Sequence, residues 1–194
     1  MPETLTTAPG HAFAARVIER LSVPVNSRRE RVIHSLDGLE QPVHTDELDA
    51  VGQALWTKAR AEMGDLLASV DYILGLDAGG IIPTIALSQA AGLPYKIAWK
   101  LHLPLDGMIQ FSEPHASRTD VYAYGITPGS RVLLVDDEVT SGHTLANLTQ
   151  RLRGVGAVPL GAVCLVEDRR HPGRHQLAGL GMRLVSLHAI EAEA

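Results

Sequence analysis

Val132-Leu133-Leu134-Val135-Asp136-Asp137-Glu138-Val139-Thr140-Ser141-Gly142-His143-Thr144-Leu145 is the stretch that decides the fold of this chain. The aliphatic run 132–135 reads as a buried strand, and Leu145, Leu148 and Leu152 recur at helical spacing. Between them lie two adjacent carboxylates and a turn of small and hydroxylated residues. A strand that ends in such a turn and opens a helix aims backbone N–H groups at one point, where a phosphate can sit. The hydroxyls of Thr140, Ser141 and Thr144 add side-chain donors, and His143 offers its backbone N–H. Asp136 and Asp137 stand a sugar's width upstream, suited to hold a pair of ribose hydroxyls. No Gly-Lys-Ser/Thr of a P-loop is present, and the glycine spacing does not fit a dinucleotide fingerprint. The plainer alternative is a parallel strand that merely carries acids at its carboxyl end.

Upstream, Tyr72-Ile73-Leu74-Gly75-Leu76 reads as another strand, followed by the loop Asp77-Ala78-Gly79-Gly80 and a helix from Pro83 to Ala91. The small residues of that loop let backbone amides approach an anion, so Asp77, Ala78, Gly79 and Gly80 are candidates for a diphosphate site. Pro94 leads a strand from Tyr95 to Trp99, and Lys100, one of three lysines, ends it. A cation there can meet oxygens that gain charge as they leave, and His102 is a further candidate. Residues 100–119 include Pro104 and Pro114 and show little period, so they are expected to form a long functional loop. Strands are expected at 120–124, 158–166 and 183–187.

At the N-terminal side, Phe13, Val17 and Leu21 recur at helical spacing and predict a short helix over 11–21. Residues 31–36 alternate as a strand. Thr45 and Asp46 offer N-caps for a long helix to about Ser69. Strand and helix alternate from residue 71 onward, which predicts an α/β, doubly wound, mainly parallel sheet covered on both faces. Ligands of such sheets bind beyond the strands' carboxyl ends, where the loops 77–80, 100–115 and 137–144 converge.

A chain of 194 residues suits one domain. Its net charge of −5 argues against nucleic acid as the main partner, since phosphate neutralisation needs a basic face. No apolar run approaches a membrane span. Residues 1–10, polar with two prolines, read as a loose tail rather than a signal peptide, which makes a cytoplasmic location the expectation. Cys164, the only cysteine, lies in a strand-like run and reads as core.

Asp136-Asp137, two variable residues and the turn Thr140-Ser141-Gly142-His143-Thr144 together resemble the 5-phosphoribosyl-1-diphosphate (PRPP) motif of the type I phosphoribosyltransferases. The likeness runs from about Arg31 to Ile190 and is greatest to the bacterial xanthine phosphoribosyltransferase subfamily. Arg31-Val32-Ile33-His34, leading into Gln41-Pro42-Val43, resembles the entry to that subfamily's hood over the base. Gly79-Gly80-Ile81-Ile82-Pro83 resembles its diphosphate loop. Val166-Glu167-Asp168, then His171-Pro172-Gly173-Arg174 and Leu177, resembles its C-terminal base-contacting segment.

The resemblance implies one phosphoribosyltransferase domain over 11–194, with a small hood formed by about 22–44 and 167–190. It implies displacement of diphosphate from PRPP by a ring nitrogen of a purine-like base, giving a nucleoside 5′-monophosphate. Asp136 and Asp137 would bind the ribose hydroxyls and stabilise positive charge, and residues 140–144 would hold the 5′-phosphate. Lys100, His102 and residues 77–80 would serve the diphosphate. Ile33, Glu40, Val139 and Asp168 would surround the base, and Glu113 would exchange a proton with it. Magnesium (Mg2+) is implied mainly through PRPP oxygens, with Asp136 and Asp137 as protein ligands, and a homodimer is implied as the assembly. Two positions depart from the subfamily: Glu40 replaces an Asn that reads the purine, and Asp168 replaces a Lys that donates to a ring carbonyl. An oxo group facing a carboxylate would leave a buried polar group unpaired, at about 1–3 kcal/mol. An amino-bearing base is therefore expected rather than xanthine. The alternative is a non-catalytic PRPP-sensing regulatory protein; a third reading is a doubly wound domain for some other phosphorylated sugar.

Overall fold

The computed structural model describes residues 4–6, 12–21, 29–113 and 120–191. In chain order, strands β1 (Thr4–Thr6), β2 (Ala12–Glu19) and β3 (Glu30–His34) precede helix α1 (Thr45–Met63), which a 3₁₀ segment continues to Ser69. Strand β4 (Tyr72–Leu76), helix α2 (Ile81–Ala91) and strand β5 (Tyr95–Ala98) follow. Next come the hairpin β6 (Ile109–Ser112) and β7 (Asp120–Ala123), then β8 (Arg131–Val139) and α3 (His143–Gly154). The chain ends with β9 (Val158–Asp168), α4 (Gly173–Gly179) and β10 (Leu184–Ile190).

β10-β9-β8-β4-β5 form one all-parallel sheet in that order. Both of its faces are covered, so its strands are near-continuous apolar runs, as a doubly covered parallel sheet requires. On one face Leu134, Ala162, Cys164 and Leu184 pack with Leu145, Leu148 and Leu152 of α3 and with Phe111 and Val121 of the hairpin. On the other, Ile73, Leu133, Val135 and Val163 pack with Val51 and Leu55 of α1, Leu87 of α2 and Phe13 of β2. Each fully buried leucine contributes about 1.5–3 kcal/mol. Cys164 is fully buried, as its apolar neighbours predict. Among the described residues no helix is long and apolar enough to cross a membrane.

Several local expectations change. Residues 12–19 are a strand, paired antiparallel with β3, and not a helix. Four-residue spacing fits a period of two as well as 3.6: Phe13 and Ala15 are buried and Val17 packs beside them, while Leu21 is fully exposed. Helix α1 starts one residue after His44, whose backbone N–H donates to Glu47 Oε2 at 3.0 Å, so neither Thr45 nor Asp46 is its N-cap. Thr4–Thr6 pair with β2, whereas residues 1–3 and 7–10 of the expected tail lie outside the described residues. Of the expected hood span, 30–34 is strand β3, which joins β1 and β2 in an antiparallel sheet, termed the hood sheet, and 22–28 also lies outside them. Residues 184–190, assigned to the hood by resemblance, instead form the edge strand of the central sheet, because Leu184, Val185 and Leu187 extend its buried faces. The loop 100–119 contains β6, and its residues 114–119 lie outside the described set.

Candidate active site

From β4 the chain moves outward to β5, and from β8 it moves the opposite way to β9 and β10, so β4 and β8 flank the point where the winding reverses. Helices leave to opposite sides there, and a crevice opens beyond the strands' carboxyl ends. β4 pairs with β8 only as far as Gly75 opposite Val135, while β9 accompanies β8 to Val139 opposite Glu167. The acidic run thus stays in the sheet on one edge and turns its other edge to the loop 77–80. That loop, the turn 139–142 and the hood strand β3 enclose a cleft of about 170 Å3.

Asp136 and Asp137 form the floor of this cleft. The Asp137 backbone N–H donates to Asp136 Oδ1 at 3.0 Å. Burial, and then the negative charge of Asp137, push the Asp136 carboxyl well above the usual carboxylate range. The loop after β4 lies directly on the pair: a Cβ on Gly79 would stand 2.0 Å from Asp137 Oδ2, and one on Gly80 would stand 2.7 Å from the Leu76 carbonyl oxygen. The Asp77–Ala78 peptide is cis. Only a residue without a side chain lets this backbone approach. Gly79→Ala is therefore expected to displace the Asp137 carboxylate and lower any turnover at this cleft by roughly 10²-fold, the scale of an ångström-sized misplacement. Steady-state kinetics of the purified variant checks this, and a value within threefold of wild type, about the resolution of such a comparison, would refute it.

Past the acids, Val139, Thr140, Ser141, Gly142 and Thr144 line the cleft and lead into α3. Gly142 has φ 74°, a left-handed conformation that turns the chain into the helix and that other residues adopt at a cost. Its Cα side is packed against Gly173 of α4, where an added Cβ would meet backbone at 2.9 Å. The N–H groups at the start of α3 are thereby presented to the cleft with the positive end of the helix dipole.

Cations enter from two sides. Lys100 Nζ lies 2.7 Å from Glu113 Oε2, both lining the cleft, and Asp77 Oδ2 accepts the Lys100 backbone N–H at 3.1 Å. Asp77 thus holds the base of Lys100, while Glu113 occupies its ammonium. From the hood, the Arg31 guanidinium lies 4.0 Å from Asp137 and 3.5 Å from Glu138, and Glu138 Oε2 accepts the Val32 N–H at 3.2 Å.

The cleft brings together Asp77, Ala78, Gly79, Lys100, Glu113, Asp136, Asp137, Val139, Thr140, Ser141, Gly142 and Thr144. It does not bring in every candidate. Gly80 serves as the N-cap of α2, and His143 starts α3 outside the cleft lining. His102 packs against the Tyr122 ring, with centroids 5.0 Å apart. Ile33 is buried away from the lining. Glu40 is exposed and paired with Arg16. Asp168 is only 3% exposed, and both its oxygens are taken: Arg170 Nε donates to Oδ1 at 2.9 Å and Arg170 Nη2 to Oδ2 at 2.7 Å. Burial alone would raise the Asp168 pKa, but those bonds outweigh it and hold the carboxyl below its ordinary value. An Asp168 facing the base with open lone pairs is thus not what the structure holds. Sequence reading also missed Arg20, Glu30, Arg31 and Glu138, which line the hood end. No local pattern marks them: Glu30 and Arg31 are successive residues of β3, Arg20 follows β2 and Glu138 lies on β8, and only the packing of β3 beside β8 brings them to one cleft.

The phosphoribosyl transferase domain model matches residues 44–179. A hypoxanthine/guanine phosphoribosyltransferase of Methanohalophilus mahii is 37% identical over 119 residues, which span 61% of this chain and 62% of that protein. The match therefore covers a little under two thirds of that relative. A xanthine phosphoribosyltransferase of Chloroflexus aurantiacus is 30% identical across 97% of this chain and 87% of its own. Among solved structures, the adenine phosphoribosyltransferase of Leishmania donovani superposes with a TM-score of 0.66 at 20% identity, covering 90% of this chain and 76% of that one. The orotate phosphoribosyltransferase of Aeropyrum pernix superposes at 0.61 with 24% identity, covering 90% and 88%. These two share the fold. With the matched family model spanning the acidic pair, the phosphate turn and the loop after β4, the chain belongs to the phosphoribosyltransferase family.

Proposed function

We propose that this protein transfers a 5-phosphoribosyl group from PRPP to a ring nitrogen of a purine-type base, releasing diphosphate and a nucleoside 5′-monophosphate. One observation carries the reading: an acidic pair, a hydroxyl-rich helix N-terminus and a side-chain-free loop meet in a single cleft at the reversal point of the sheet. Those three parts match the three parts of the donor, which are ribose hydroxyls, 5′-phosphate and diphosphate.

In this mechanism Asp136 and Asp137 hold the ribose hydroxyls, and their charge stabilises the oxocarbenium character that develops as the glycosidic bond to diphosphate breaks. The turn 140–144 anchors the 5′-phosphate, and the amides of 78–80 receive the departing diphosphate. Lys100 exchanges its Glu113 partner for diphosphate oxygens. Residues 100–113 carry that cation over the cleft and exclude water, which would otherwise hydrolyse the donor. Carboxylate oxygens are the hard donors that magnesium takes, and a desolvated acidic pair gains from a cation beside it. Magnesium bound through Asp136, Asp137 and donor oxygens would neutralise charge on the diphosphate.

The accepted base presents amino or ring N–H groups to the hood end. Glu30 lines the cleft there and Asp168 lies just behind it, and the donors of Arg170 are directed at these same two acids. Among the described residues of that corner Arg31 is drawn to Asp137 and Glu138 and Arg170 to Glu30 and Asp168, so a ring carbonyl would compete with carboxylates for its donors, and an unpaired carbonyl costs about 1–3 kcal/mol.

The test is diphosphate release from PRPP and magnesium across adenine, guanine, hypoxanthine, xanthine and a set of pyrimidines. Base-dependent release, fastest with an amino-bearing purine, is expected. Fastest release with xanthine or hypoxanthine would sink the base preference alone, whereas no release with any base would sink the transfer reading.

A further inference from the structure

Four groups cluster behind the hood end of the cleft. Glu30 belongs to the hood strand β3, Asp168 ends the core strand β9, and Arg170 and His171 follow in the loop before α4. Oxygen and nitrogen atoms of Glu30, Asp168 and His171 lie within 4.8 Å of one another, a spacing that would suit a cation. A guanidinium already supplies the positive charge. Arg170 Nη2 donates to Glu30 Oε2 at 2.8 Å and to Asp168 Oδ2 at 2.7 Å, while Nε and the backbone N–H both donate to Asp168 Oδ1, at 2.9 and 3.2 Å. The two acids so joined are on separate sheets. The crevice they border, with Val17, Val32 and Thr140, is closed even to a water-sized sphere. Glu30 alone of the two acids also lines the open cleft.

We propose that Arg170 is a positioning residue for the acceptor base: it clamps the hood strand to the core sheet and holds the Glu30 carboxylate at the base end of the cleft. This rests on the transfer reading above and deepens it by naming what sets acceptor recognition. Arg170 lies outside the cleft lining and acts through Glu30. A forked guanidinium is needed because two acids on different elements must be bonded at once, and an ammonium offers no such planar fork. None of the hydrogen bonds of Arg170 reaches the donor half of the site, built on β8, α3 and the loop 77–80, and β3 keeps its own tie to β8 through the Val32 N–H and Glu138.

The test compares the full-length wild type with Arg170→Gln and Arg170→Lys. With the best acceptor of the base panel, both variants are expected to raise the KM for base by roughly tenfold, the scale of one lost charge-assisted bond. The KM for PRPP should stay within about twofold, since no donor contact changes. In the ligand-free protein, amide hydrogen exchange at 30–34 should become faster in both variants, with exchange in β8 unchanged. A parallel rise in both KM values would show general loosening and overturn the proposal, as would full recovery by lysine. Unchanged exchange at 30–34 would overturn the clamp itself whether or not any base is turned over. A wild type without base-dependent release overturns the transfer reading and, with it, the acceptor role of Arg170.

Discussion

Asp137→Asn is expected to lower kcat on the order of 10²–10³-fold, the usual cost of removing one group aimed at developing charge, with the fold intact. Asparagine has the same shape, so it keeps its place against Gly79 and keeps the backbone N–H bond to Asp136. What disappears is a negative charge in a site where water is scarce and charge acts strongly. The native pair is also costly to fold, because a desolvated Asp136 stands beside a second carboxylate. Removing one of the two should leave the melting temperature unchanged or higher, a separation of stability from activity common at catalytic sites. Diphosphate release with the best acceptor, read alongside thermal unfolding, decides the matter. Turnover within tenfold of wild type would mean that the pair does not carry the chemistry, and a large drop in melting temperature would mean that the loss is structural.

The largest effect on stability is expected from a pair away from the cleft. Glu167, 2% exposed near the end of β9, receives Arg174 Nε at 2.7 Å and Nη2 at 2.5 Å, and Ser186 Oγ at 3.0 Å. Arg174 also donates to the Leu184 carbonyl at 2.8 Å, so it joins α4 to β9 and β10. Burial by itself would raise the Glu167 pKa, but the bonds from Arg174 and Ser186 outweigh it and hold the carboxyl below its ordinary value. Arg174→Gln should cost about 3 kcal/mol, the penalty of taking the main partner from one buried charge. The pH dependence has a definite sign. In wild type the depressed pKa makes the Glu167 contribution fully present above the unfolded value, about 4.3, and lost as pH falls through the folded value. In the variant the buried carboxylate keeps only Ser186 and a longer contact from Arg169 Nε at 3.4 Å, so its folded pKa moves up and protonation becomes easier. The deficit should therefore be widest near neutral pH and shrink in acid. Urea unfolding of both proteins at pH 7 and near pH 4 measures this; a deficit that grows in acid would contradict it.

The strand–turn–helix from Val132 to Leu152 was legible because its cues are local. Continuous aliphatics mark a strand covered on both faces, and Gly142 marks the left-handed turn into α3. The all-parallel sheet follows from the alternation of such units. The N-terminal strand was not legible. Phe13, Val17 and Leu21 stand four apart, a spacing that two periods share, and pairing with β3 decided between them. Sequence alone also placed Asp136, Asp137, Gly79 and Lys100 in one site, since residues at the ends of neighbouring parallel strands must converge.

The occupants of those side chains were decided only in three dimensions. Lys100 meets Glu113 across a loop, Glu40 turns away to Arg16, and Asp168, read as a free acceptor, is enclosed by Arg170. Arg170 in turn reaches Glu30, 140 residues away in the chain. Periodicity and turn chemistry act over a few residues and determine where a strand ends and what its loop can bind. An ion pair between distant elements depends on how the hood lies over the sheet, and that relation exists only once the apolar faces of both have found each other.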